Sequence, residues 1–172
     1  MNRQRTLALG LLAALFVADR MSKLWIESHL TLYDSFPVIP GIFHIVHTEN
    51  PGAAFSLLAD ASPMVRFLVL ICASLAMMVG IGQMLWQATA TAVSAGTTQR
   101  WALTLVLGGA LGNLYDRVRF GRVTDFLQVF LGSYEWPSFN VADSAICVGA
   151  TLLVIDMLWG RARTVPQVRT TS

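Results

Sequence analysis

Charge is what this chain has least of. Charged residues make up 13% of its 172 positions and apolar residues 55%, about half the charged share usual in a soluble domain. A soluble domain this short needs more polar surface than that. A bilayer removes the need, because lipid accepts apolar side chains facing outward. No run of Lys or Arg occurs and the net charge is only +2, which argues against a nucleic-acid partner. Cysteine is scarce too. Cys72 and Cys147 each lie inside an apolar run and are expected to be buried as small hydrophobes, so they supply no disulfide framework and no metal site. A Gly-rich phosphate loop, G-x-S-x-G and H-E-x-x-H are all missing, as are repeats and low-complexity tracts.

Long apolar runs are what is present. They cover Leu7–Ala18 with a continuation to Ile26, Met64–Trp86, Trp101–Tyr115 and Val141–Trp159. A spanning helix needs about 20 residues. The second and fourth runs fit directly; the first and third must include the charges that close them. The spans expected are 7–26, 64–86, 101–117 and 141–159, with Trp86, Trp101 and Trp159 as interface anchors. Arg3 and Arg5 ahead of the first run imitate a secretory signal, but Asp19-Arg20 stands where a cleavage site would be, so an uncleaved helix is expected. Cations divide evenly between the two sides, and Arg3 and Arg5 at the leading helix put the termini in the cytoplasm.

Two connections carry content. In residues 31–62, Phe43–His47 near-alternates as a strand and Asn50-Pro51-Gly52 signals a turn. In residues 119–140, Val123, Phe126, Leu127, Val129, Phe130 and Leu131 surround Asp125 and predict a short amphipathic helix on the interface. Residues 164–172 form a polar tail. The expected fold is an all-α membrane protein: four transmembrane helices, a small extracytoplasmic β-containing loop and an interfacial helix, in one integral membrane domain over residues 1–172.

Of the ten acids, all except Asp156 fall on the outer side or at its helix ends. Ionisable groups at membrane depth are costly and mark functional sites. Glu27, Asp34, Asp60, Glu135 and Asp156 read as span-end charges. Asp143, three residues into an apolar span, and Asp125, among apolar neighbours, share a depth and a side. If they meet, they cannot both ionise and must share a proton, which suits one as general base and the other as general acid. A cation site or a proton relay would use the same pair. Gly108 and Gly112 have the small-xxx-small spacing of close helix packing. Asn113 and Arg117 are harder to explain as packing, whereas Asp116 reads as a structural ion pair. His44 and His47, three apart on a strand, point to opposite faces and make a weak metal pair. Ser22 and Lys23, adjacent on a helix, diverge by about 100° and make a poor dyad.

Several motifs in order resemble those of bacterial lipoprotein signal peptidase (signal peptidase II). They are Asp19-Arg20-Met21-Ser22-Lys23, Asn50-Pro51-Gly52-Ala53-Ala54-Phe55, Gly108 to Arg117, Val123-Thr124-Asp125-Phe126 and Phe139-Asn140-Val141-Ala142-Asp143-Ser144. The resemblance implies an aspartic endopeptidase that cleaves prolipoproteins before their diacylglyceryl-modified cysteine, at the outer face of the bacterial cytoplasmic (inner) membrane. It implies Asp125 and Asp143 as the catalytic pair, without metal or cofactor. It places Asp19, Lys23, Asn50, Gly52, Asn113, Asp116, Arg117 and Asn140 around them in dyad-supporting or substrate-binding roles. Globomycin-type inhibition, membrane lipid as surroundings and a monomer are expected. Arg20 stands where the family more often has Gln. Two other classes compete. A proton-coupled transporter would carry a charge near a span centre, and Leu68–Met78 and Val148–Val154 carry none. A non-enzymatic assembly factor would use the polar clusters as partner contacts.

Overall fold

The computed structural model describes residues 2–52, 62–90 and 96–160. Ala53–Phe55 of the loop motif, Asp60 and the polar tail lie outside them. Four helices, α1 (Arg3–His29), α2 (Pro63–Ala88), α3 (Thr97–Phe120) and α4 (Val141–Gly160), carry four strands at one end: β1 (Ser35–Ile39), β2 (Phe43–Asn50), β3 (Val123–Leu131) and β4 (Tyr134–Glu135).

Each expected span falls inside one of these helices, which run a few residues further. The end residues explain why. Asn2 caps α1, its side chain accepting from the Arg5 N–H at 3.0 Å. Ser62 caps α2 and Pro63 opens it. Two helices, Met64–Ala88 and Val141–Trp159, are long and apolar enough to cross a membrane, with mean hydropathies of 2.3 and 1.9. Helices α1 and α3, of 27 and 24 residues, are as long but carry charges toward their C-terminal ends. Apolar side chains such as Leu68, Leu75 and Val79 on α2 and Val148 and Val154 on α4 are exposed, a surface that suits lipid and not water. Cys72 and Cys147 are exposed on these same two helices, contrary to the burial expected. An apolar run that faces lipid has no need to hide its thiols.

The expected interfacial helix is a strand. Residues 123–131 form β3, hydrogen-bonded between β2 and β4 in an antiparallel sheet of order β1-β2-β3-β4. The register pairs Val123 with Asn50, Asp125 with Thr48 and Val129 with Phe43. Val, Thr and Phe dominate the segment and favour a pleated surface. Its first four residues, Val123 to Phe126, are all buried, so both faces are covered and the alternation that betrays a strand is absent. The β-content expected of residues 31–62 is present, with the Phe43–His47 strand extended to Asn50.

Glycines let the helices approach. A Cβ on Gly109 would sit 2.2 Å from the Ala142 carbonyl oxygen of α4. On Gly112 it would sit 2.7 Å from Asp19 Oδ2, and on Gly108 2.9 Å from Leu15, both on α1. The Gly108/Gly112 pair is thus a close-packing face, as its spacing suggested, and it meets α1. Gly109→Ala drives a methyl into backbone that cannot rotate away, and we expect it to cost about 1–3 kcal/mol. Gly80→Ala, where a Cβ meets nothing within 4 Å, is the matched control. Denaturation in micelles measures both, and equal midpoints would show that α4 yields freely.

Candidate active site

The site forms where the C-terminal ends of α1 and α3 meet the N-terminus of α4 and the sheet. Spacing on α1 begins it. Asp19 and Lys23 are four residues apart and share a helix face. Lys23 is fully buried. Its ammonium lies 2.7 Å from Asp19 Oδ2, 2.6 Å from Asp116 Oδ2 and 3.3 Å from Asn113 Oδ1, so its three donors meet three acceptors. Arg20 joins from the next position, bonding Asp116 Oδ1 at 3.0 Å and Glu27 Oε2 at 2.9 Å. Asp116 is therefore held in ion pairs, as its sequence context suggested, but with Lys23 and Arg20. Arg20 thereby connects α3 to the end of α1. Asp19 Oδ1 accepts from the Ala142 N–H at 2.9 Å, so a carboxylate of α1 holds the positive end of α4.

Asn140 caps that same end. Its Oδ1 accepts from the Asp143 N–H at 2.9 Å, and Asp143 Oδ2 accepts back from the Asn140 N–H at 3.3 Å, a reciprocal capping box. Phe139 bridges Leu127 of β3 through backbone bonds of 2.8 and 2.9 Å, which brings Asn140 beside Asp125. There the Asn140 amide donates to Asp125 Oδ1 at 2.7 Å and toward Asn113 Oδ1 at 3.3 Å. Asn50 donates to Asp125 Oδ2 at 3.2 Å while its Oδ1 accepts from the Gly52 N–H at 2.8 Å. That turn needs the positive φ of Gly52, +93°. Asn113 donates to Asp143 Oδ1 at 2.7 Å.

The two carboxylates are thus each held by asparagine amides, and Asn113 and Asn140 link them. Asp125 is 4% exposed. Burial, then the charge of Asp143, pushes its carboxyl up to about 6, against the donors Asn50 and Asn140 and the charge of Lys23. Arg117 is half-buried within electrostatic reach of Asp143, Asp125 and Asp116, and its Nε is buried with no hydrogen-bond partner among the described residues. It lines a small cavity of about 90 Å³ with Pro51, Arg66, Phe67, Leu70 and Gly121.

All ten residues singled out in the sequence lie in this one region. Glu27, by sequence a span-end charge, accepts from Arg20 and, at 2.8 Å, from the Thr124 hydroxyl, tying α1 to β3 beside Asp125. The recurrence Asp19, Lys23, Glu27 at four-residue steps is the signal that could have found it. Thr48, which donates to the Asp125 carbonyl at 3.0 Å, leaves no such signal. Ser22 donates to the Asp19 carbonyl at 2.8 Å and forms no dyad with Lys23. His47 is buried, with Nδ1 2.8 Å from the Leu30 carbonyl. Among the described residues no group of three or more His, Cys, Asp or Glu is placed to hold a metal.

The fold and sequence have relatives. The chain superposes on a bacterial membrane enzyme solved by the in meso method at 2.3 Å with a TM-score of 0.80, at 25% identity over 94% of this chain and 93% of that one. It is 44% identical to the lipoprotein signal peptidase of Solibacter usitatus (strain Ellin6076), covering 88% of this chain and 90% of that protein. It is 46% identical to that of Syntrophotalea carbinolica (strain DSM 2380 / NBRC 103641 / GraBd1), covering 84% and 87%. The Signal peptidase (SPase) II family matches residues 11–159. With this fold, these relatives and a match over most of its length, the chain belongs to the signal peptidase II family.

Proposed function

We propose that this chain removes signal peptides from prolipoproteins as an aspartic endopeptidase, with Asp125 and Asp143 as the reacting pair. The observation that carries the reading is the pairing itself: two carboxylates from different elements, bridged by Asn113 and Asn140, one of them pushed up to about 6. One carboxylate takes a proton from water, which attacks the scissile carbonyl. The other gives its proton to the carbonyl oxygen; as the tetrahedral intermediate collapses, the first passes the water's proton to the leaving nitrogen and the second takes back the hydroxyl proton, so the pair again shares one proton. Asn50, Asn140 and Asn113 hold the pair in place, and Lys23 with Asp19 and Asp116 fixes the helices behind it. Arg117, with buried donor capacity beside the carboxylates, is suited to the substrate backbone.

All four helices span the inner membrane as one domain, termini in the cytoplasm and the sheet at the outer face. Exposed Phe36, Val38 and Ile42 of the β1–β2 hairpin and Tyr134 and Trp136 beyond β3 rest at the headgroup level. The substrate, a signal helix bearing a diacylglyceryl cysteine, partitions into the same lipid and meets the pair without extraction. Globomycin-type inhibitors compete there, and the chain works as a monomer.

The test is a pH profile for cleavage of a diacylglyceryl-modified precursor peptide, with products identified by mass. Activity requires one proton on the pair. As pH rises through about 6, Asp125 loses it, so kcat/KM should fall about tenfold per unit above that point. The kcat limb should lie higher, because bound substrate excludes water and disfavours the second charge. A flat profile from pH 5 to 8 would refute a proton-sharing pair.

A further inference from the structure

We infer, on the peptidase reading above, that Glu27 is a positioning residue for the reaction: through the Thr124 hydroxyl it fixes the strand that presents Asp125. Alternation along β3 puts the Thr124 and Asp125 side chains on opposite faces, so a hold on Thr124 acts from behind the reacting carboxylate. The sheet is weak at this point. The β2–β3 register shifts between Ile45 and Thr48, just where Thr48 faces Asp125. Strand β4 pairs only with Phe130 and Leu131. Nearer Asp125, the N–H groups of Phe126 and Leu127 share one carbonyl, that of Phe139, at 3.0 and 2.8 Å. Behind the strand lies a cavity of about 300 Å³ that Glu27 and Thr124 both line, so close packing does not fix the strand from that side.

A directed bond supplies the hold. Thr124 is buried, and its hydroxyl donates to Glu27 Oε1 at 2.8 Å. The Glu27 side chain is 32% exposed and by itself would sample several rotamers. Its other oxygen, Oε2, is held by Arg20 at 2.9 Å. Arg20 is held in turn by the buried Asp116 at 3.0 Å and lies over the Phe120 ring, 5.1 Å from its centroid. Asp116 also bonds Lys23 at 2.6 Å. The rigidity of the buried ion cluster thus reaches the strand of Asp125 through one carboxylate. The Thr48 hydroxyl, 3.0 Å from the Asp125 carbonyl, holds the strand along its β2 edge; the Glu27 bond holds it across the sheet. Both matter for rate, because a misplacement of about 1 Å at a reacting group costs about 10²-fold.

Steady-state cleavage of a diacylglyceryl-modified precursor peptide by the full chain in micelles tests this, with the folded fraction of each variant checked by its denaturation midpoint. Thr124→Val keeps the shape and loses the hydroxyl. It strands no charge, since Glu27 is partly exposed and keeps Arg20. It should lower kcat about tenfold and leave KM within about twofold, because substrate still binds while Asp125 is misplaced. Thr124→Ser restores the hydroxyl and should bring kcat back to within about threefold of the parent. Glu27→Ala should match Thr124→Val, and behind it Lys23 and Arg20 still balance Asp19 and Asp116. The double variant should be no more than about twofold slower than either single one. An unchanged kcat in Thr124→Val, Thr124→Ser as slow as Thr124→Val, a loss confined to KM, or multiplied effects in the double variant would each overturn the proposal while the peptidase reading stands. Cleavage retained by Asp125→Asn would overturn both.

Discussion

Asp125→Asn and Asp143→Asn are each expected to slow cleavage of a lipidated precursor by about 10²–10⁴-fold, the usual worth of a positioned acid or base. The amide keeps the shape of the carboxylate and one acceptor oxygen, but it can neither take a proton from water nor give one to the leaving group. Because the two act as a unit, the double variant should be little slower than either single one. Asp143 has a second duty, its bond to the Asn140 N–H in the capping box. A sceptic can therefore ascribe its loss to a frayed helix. Asp143→Glu separates the two roles. Glu is well suited to the third position of a capping box, so the helix end survives, while the added methylene moves the carboxylate relative to Asp125. Cleavage should still be lost and the denaturation midpoint kept. A fully active Asp143→Glu chain would mean that Asp143 only caps α4.

The same residue shows why legibility is uneven. Asn140-Val141-Ala142-Asp143 is a capping signal readable in the sequence, yet its acid alone draws the eye. Pairs close along one helix are accessible, as with Asp19 and Lys23, because a four-residue step fixes their shared face. Pairs made across helices are not. Nothing in spacing says that Lys23 meets Asp116, 93 positions away, or that Asp19 holds the amide of Ala142; these follow from helix approach at Gly108, Gly109 and Gly112. The motif resemblance supplies that grouping where periodicity cannot. Strand β3 is hidden for a different reason. A segment covered on both faces loses its period of two, and a short apolar run without period is ambiguous between helix and strand. Read as a helix, the segment leaves Asp125 in the right region but hides its partners, since only a strand paired with β2 puts it against Thr48 and within reach of Asn50.

Lys23→Ala should destabilise the chain by about 3–5 kcal/mol, because it strands charges where solvent cannot reach them. Lys23 and Arg20 face Asp19 and Asp116 in the buried part of the cluster, so charge there is balanced. Removing the ammonium leaves Asp19 without its bonded cation, because of these two acids Arg20 bonds Asp116 and not Asp19, and Arg117 is in electrostatic reach of Asp116. The loss spreads to the site, since Asp19 also holds the start of α4, where Asn140 and Asp143 sit. The double variant Lys23→Met/Asp19→Asn restores the balance: Asp116 keeps Arg20, and the new amide on α1 still has a carbonyl oxygen to accept from the Ala142 N–H. It should recover about 0.5–3 kcal/mol relative to the sum of the single changes. Denaturant midpoints in micelles for the parent, both single variants and the double complete the cycle. Strict additivity would mean that Lys23 and Asp19 are stabilised independently and that the buried pair does not lock α1 to the N-terminal end of α4.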